Sequence, residues 1–110
     1  GGDDMRQFIL HEAQTVTVKN CVETKNSIGE KIPDWQAIGI IEAEIQPLSG
    51  ETSRKEIGIT EKSTHRAFTV YPYSFTVNTR LVDSKGNAYL VGYIAGWGSH
   101  EEAILEKVVL

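Results

Sequence analysis

The sequence predicts an all-β protein: a small antiparallel β-barrel of about six to seven strands with one long protruding loop. Three observations predict it. Apolar and polar residues alternate with a period of two in several short segments, turn-forming clusters of Gly, Pro, Asn and Asp separate those segments, and no long stretch carries convincing helical periodicity.

The elements follow in chain order. Phe8-Ile9-Leu10-His11 is a short apolar start, compatible with one helical turn or with a strand. From Thr15 onward, Val16, Val18 and Val22 share one parity while Thr15, Thr17 and Lys19 take the other, which marks a half-buried strand. Asn26 to Lys31 is polar, contains Gly29 and leads to Pro33-Asp34, so the chain reverses there. Between Trp35 and Gln46 the odd positions Trp35, Ala37, Gly39, Ile41, Ala43 and Ile45 are apolar or small. Glu42, Glu44 and Gln46 lie on the opposite parity, as a solvated outer face. Ile38 and Ile40 break the alternation about Gly39, which predicts a bulge or a sharp bend.

Pro47-Leu48-Ser49-Gly50 ends that strand, because proline has no amide hydrogen for the ladder. Glu51 to Ser63 is weakly patterned and charged, with Ile57 and Ile59 as its main apolar groups, and reads as the long loop. Thr64 to Tyr71 alternates again, with Phe68 and Val70 on one side and His65, Thr69 and Tyr71 on the other, and Pro72 closes it. Phe75 and Val77 form a brief apolar pair before Asn78-Thr79. Leu81-Val82, the Asp83 to Asn87 turn and Ala88 to Ile94 make a hairpin, with Gly86 at the positive-φ position. Ala95 to Ser99 is a glycine-rich reversal. Ala103 to Leu110 reads as the last strand, although Glu101 to Val108 also contains strong helix formers.

A chain of 110 residues holds one core. Gly1 to Asp4, ahead of Met5, reads as an expression remnant or a disordered start, and residues 5–110 as a single domain. With 40% hydrophobic and 24% charged residues, folding is expected and disorder is not. The net charge of -4 supplies no whole-molecule attraction to nucleic acid or to an anionic membrane. The lone Cys21 has no intramolecular partner and no leader is recognisable, so a reducing cytoplasm is the expected place of synthesis. No apolar stretch approaches the ~20 residues needed to span a bilayer.

No catalytic constellation is expected. His11, His65 and His100 are dispersed, with no His-x-x-x-His and no Cys at metal spacing, so neither a metal nor another cofactor is anticipated. His65 is expected to be an exposed, outward strand residue. Glu42 and Glu44 would face one side of a strand, as a glycosidase pair might, but their alternation with Ile41, Ala43 and Ile45 is that of a solvated face. Ser49 lacks the Gly-x-Ser-x-Gly elbow, and Gly96-Trp97-Gly98 lacks the helix a phosphate loop needs. Tyr71, Tyr73, Phe75, Tyr89, Tyr93 and Trp97 could form a stacking platform for single-stranded nucleic acid. The cations beside them are few, Arg66, Arg80 and Lys85 before Lys107, so most of these aromatics are expected in the core or at a subunit contact. Trp97, between two glycines in a reversal, is expected to be an exposed anchor.

Trp35, Gln46-Pro47-Leu48-Ser49-Gly50, Thr64-His65-Arg66 and Asp83-Ser84-Lys85-Gly86-Asn87-Ala88-Tyr89, taken in that order, resemble the head-tail joining (head closure) proteins of tailed bacteriophages. The pattern of that family is a Trp, a Pro-Leu-Ser-Gly-like turn, a Thr-His-Arg strand start and a Gly-x-x-Tyr hairpin. The likeness runs from Leu10-His11 to Val108 and departs at Asn78, where such proteins often carry Gly or Pro.

The resemblance implies a structural, non-enzymatic β-barrel protein, made in the host cytoplasm and carried in the virion of a phage or prophage. It would dock beneath the portal and adaptor (connector) proteins, form a ring with copies of itself through which DNA passes, and offer a surface to tail proteins, with no membrane contact. Two alternatives stand beside it: an oligonucleotide-binding-type β-barrel, and another tail morphogenesis protein such as a tail terminator. The candidate contact residues are Glu51, Arg54, Lys55, Glu56, Ile57, Ile59, Glu61 and Lys62 in the long loop, together with Trp97. Because no large exposed apolar stripe is evident, the free protein is expected to be monomeric and to oligomerise only on a preformed connector.

Overall fold

The computed structural model describes Leu10, residues 12–48 and residues 59–109. Among these lie β1 (Gln14–Lys25), β2 (Lys31–Pro47), β3 (His65–Val70), β4 (Arg80–Val82), β5 (Ala88–Gly96) and β6 (His100–Val108). All neighbouring pairs are antiparallel, and the sheet closes on itself in the order β1-β2-β3-β6-β5-β4, with β4 returning to β1. Glu101 to Val108, which also carried helix formers, is a strand because β3 and β5 flank it on both sides.

The all-β class holds, but the small β-barrel does not. The structure is a single six-stranded antiparallel sheet closed into a ring of very unequal strands, from three residues in β4 to 17 in β2. Beyond Lys19, β1 pairs with β2 alone, since β4 reaches only Thr17 to Lys19. β2 in turn meets β3 only from Glu44 to Pro47. Asn20 to Lys25 and Lys31 to Gln36 therefore form a two-stranded arm with no third strand on either side among the described residues. At ~3.3 Å per residue its six paired positions reach about 20 Å past the closed sheet. Residues 51–58 of the expected protruding loop lie outside the described residues.

The interior follows from alternation on strands that have neighbours. Val16, Val18, Ile41 and Ala43 face inward from β1 and β2, and meet Ala67, Leu81, Val91, Ala103 and Leu105 from the other four strands. β3 turns Ala67 and Thr69 inward, so His65 shares the inward parity and is half-buried, which corrects its expected outward, exposed position. The predicted irregularity near Gly39 is present: the register shifts opposite Val18/Lys19, leaving Ile38 as the extra residue. β2 and β3 diverge after Glu44, and the Thr69 hydroxyl donates to the Glu42 carbonyl at 2.6 Å where the ladder stops. Glu44 is only 7% exposed, contrary to the solvated face expected for it. The chain entering β1 covers it, and the Glu12 amide donates to its Oε1 at 3.3 Å.

Strand order also determines where the openings of the sheet are closed. In the cyclic order β3 and β4 lie diametrically opposite, so the connection between them, residues 71–79, must cross one opening. Phe75 on this crossing is buried in the core cluster, and its amide donates to Glu101 Oε1 at 2.9 Å. The crossing ends by pairing with β5, the Asn78 amide donating to the Val91 carbonyl and the Val91 amide to the Thr79 carbonyl, both at 2.9 Å. Asn78 adopts φ 64°, a left-handed conformation that Asn tolerates better than most residues. Asn78, the position at which the sequence departs from the Gly or Pro of the pattern it resembles, thus supplies the left-handed residue of this turn.

Candidate interface surfaces

At the end of the closed sheet crossed by residues 71–79, β5 and β6 join through Trp97, Gly98 and Ser99. The Trp97 amide donates to the His100 carbonyl at 2.8 Å, and Gly98 has φ 82°, which a side chain would strain. The reversal predicted for this segment is therefore present. One face of the Trp97 ring lies near His100 (centroids 6.5 Å apart, 26° between planes), and His100 in turn approaches Phe68 at 6.1 Å. Trp97 nevertheless remains 61% exposed. Beside this turn lies an open cleft of about 300 Å³ between residues 71–74 and 96–101, with Tyr71 90% exposed at its rim.

The opposite end carries a different chemistry. The Asp83 carboxylate organises the β4–β5 turn: Oδ1 accepts from the Lys85 and Asn87 amides at 2.9 Å, and Oδ2 from Asn87 Nδ2 at 3.2 Å and Tyr89 Oη at 3.3 Å. Burial pushes the Asp83 pKa up, but these hydrogen bonds outweigh it and hold the carboxyl below its usual value. Tyr89 is raised by burial and by the Asp83 charge. The His65 ring meets Tyr89 edge-on at 4.8 Å and is held below its ordinary value, by burial first and then by Lys107, with Asp83 opposing. Thr64 Oγ1 lies 2.9 Å from His65 Nδ1 and accepts from the Lys107 amide at 2.7 Å, tying β3 to β6. The Asp83 hydrogen bonds to Lys85, Asn87 and Tyr89 tie the turn to the start of β5 at this end.

The third surface is the arm. Ile28 at its tip is 76% exposed, and Ile38 and Ile40 near its base are 59% and 64% exposed. At the base, the Arg80 guanidinium stands 4.1 Å from the centroid of the Trp35 ring, which pins the arm against β4. Sequence reasoning missed this surface because alternation was taken as burial. The usable signal was the pair of isoleucines flanking Gly39 on the parity opposite the core.

The structure separates the predicted contact residues. Ile59 is half-buried and Glu61 and Lys62 are exposed, Lys62 lying beside Leu90, Gly92 and Glu106 of β5 and β6, whereas Trp97 sits in the β5–β6 turn. Glu51, Arg54, Lys55, Glu56 and Ile57 lie outside the described residues. Among the described residues no three His, Cys, Asp or Glu side chains gather to hold a metal ion, and no helix is long and apolar enough to cross a membrane.

No protein-family model matches the chain, and no curated protein matches it. Solved structures do. Protein SF1141 from Shigella flexneri 2a superimposes with a TM-score of 0.65 at 13% identity, covering 86% of this chain and 90% of that one. A chain in the virion of a native gene transfer agent particle gives a TM-score of 0.56 at 16% identity, covering 88% of this chain and 96% of that one. At such identities the likeness is one of fold, and it extends along nearly the whole of both chains.

Proposed function

We propose that this protein is a structural subunit of a phage or phage-like virion, and that its place is the head-tail junction. There it would bind the portal or adaptor above and tail proteins below, as one copy in a ring that leaves a passage for DNA. The observation that carries this reading is the near full-length fold likeness to a chain of the gene transfer agent virion. The ordered set of Trp35, Pro47-Leu48-Ser49-Gly50, Thr64-His65-Arg66 and Gly86-Asn87-Ala88-Tyr89 supports the finer assignment. The chemistry is consistent with assembly: a closed sheet gives each subunit a fixed shape, and Trp97 and the arm isoleucines offer exposed apolar anchors. A nucleic-acid platform is less well served, because Glu101 and not a cation lies at the cleft beside Tyr71.

Deleting the gene from a phage or prophage that encodes it tests the reading. DNA-filled heads and separate, normal-length tails are expected by electron microscopy. Intact particles would overturn virion function altogether, and tails of aberrant length would move the protein to the tail terminator role.

A further inference from the structure

We propose that the β1–β2 arm of one copy seats its Ile28 tip in the cleft beside Trp97 of the next copy. The contact is head-to-tail, and the inference rests on the assembly reading above for the reason such a contact exists.

The argument begins with topology. In the cyclic strand order β1-β2-β3-β6-β5-β4, β1 lies opposite β6 and β2 lies opposite β5. The β1–β2 arm and the β5–β6 turn therefore leave the closed sheet from opposite sides. Both leave at the same end: β3 finishes at Val70, which pairs with His100 at the start of β6, while the arm continues past the point where β2 parts from β3. A subunit with a projection on one side and a recess on the other carries the two different patches that a heterologous interface requires.

The two patches are a narrow apolar tip and an open recess with two tyrosines in its lining. The arm narrows to a turn held by Asn26, whose Oδ1 accepts from the Ile28 and Glu30 amides at 3.1 and 2.9 Å. Gly29 stands at φ 85°, and the turn presents Ile28 outward. The recess of about 300 Å³ is lined by Tyr71, Pro72 and Tyr73 together with the polar His100 and Glu101. Gly96 and Gly98 on its wall leave room for a neighbouring backbone. Lys25 and Lys31 lie at the arm tip beside Glu23 and Glu30; among the described residues Lys31 pairs with an exposed Glu23 at 3.9 Å, and the recess carries the Glu101 carboxylate, whose Oε1 accepts from the Phe75 amide. An exposed pair of that kind is weak, so Lys31 is available to a better-placed acid.

Oxidative crosslinking of the full chain tests the contact. Cys21 is the only cysteine, so a Cys21→Ser background carrying both Ile28→Cys and Ser99→Cys reports one geometry. Both substitutions fall at exposed turn positions, and an unchanged melting curve confirms the fold. At high concentration, or in isolated particles, the double-cysteine protein is expected to give a ladder of dimers, trimers and larger species, while either single-cysteine protein gives none. Monomers alone in both settings, although the protein is present in particles, would overturn the arm-in-cleft contact and leave the assembly reading standing. Dimers from the Ile28→Cys protein alone would mean that two arms meet each other, and would also overturn it. A ladder in solution from a protein absent from particles would preserve the contact and sink the assembly reading.

Discussion

β1 and β2 are each divided between two environments, and the contrast shows what a strand needs in order to bury its apolar face. Val16 and Val18 lie in the closed part of the sheet and are buried, while Val22, on the same parity of the same strand, is exposed on the arm. The chemistry of the residues is the same. The difference is that β4 flanks the other side of β1 from Thr17 to Lys19, whereas among the described residues only β2 pairs with it from Asn20 to Lys25. A sheet face becomes a core only where further strands curl over it, and the arm is a ribbon from which such strands are missing.

Paired truncations on the two sides of that boundary should differ most. Leu105→Ala, at a side chain 1% exposed in the closed sheet, is expected to cost about 2–5 kcal/mol in urea unfolding. Ile28→Ala at the arm tip should change stability by less than about 0.5 kcal/mol. Equal costs would show that the arm is packed and not free. Gly86→Ala comes next: Gly86 has φ 87°, and a side chain there should cost about 1–2 kcal/mol, read by the same unfolding curves.

A smaller effect separates the two ends of the closed sheet. Tyr89→Phe removes the phenol's hydrogen bond to Asp83 and should cost about 0.5–1.5 kcal/mol, with no effect on Trp97 fluorescence. At the arm base, Arg80→Met removes the cation over Trp35. It should cost about 0.5–1 kcal/mol and speed amide hydrogen exchange in the arm before it does so in β3 or β6.

The pH response should be the smallest effect and confined to the Asp83 end. His65 is held below its ordinary value, so the unfolded chain takes up its proton first. Its contribution to stability is complete above pH 6.5 and is lost as pH falls from 6.5 through the folded value. Asp83 is also depressed, from 3.8, and its contribution disappears only in that lower range. Unfolding midpoints measured at about pH 8 and about pH 5 should therefore differ in the wild type and converge in His65→Asn. A midpoint difference unchanged by that substitution would place the titrating group elsewhere.

Much of the local structure is legible in the sequence. The Asp83 to Asn87 turn with Gly86, the Ala95 to Ser99 reversal, the hairpin loop after Lys25 and the bulge at Gly39 all follow from residues with special backbone preferences or from a break in alternation. The requirements there are local. The face of β3 was not legible, because His65, Phe68, Thr69 and Tyr71 give no clean apolar stripe and only the neighbouring strands decide which side is inside. Glu44 misled for the same reason: an acid on the polar parity of β2 looks solvated until the chain at Glu12 is seen to cover it.

Residue preferences alone established that this chain is all-β and where it turns, because those features depend on φ, ψ and side-chain parity within a few residues. Which strands meet, that β3 and β4 stand opposite each other so that Phe75 must cross between them, and that β1 and β2 outrun their neighbours to form an arm were settled only by long-range pairing. The energy of such pairing lies in contacts between residues far apart along the chain, and a one-dimensional pattern does not record them.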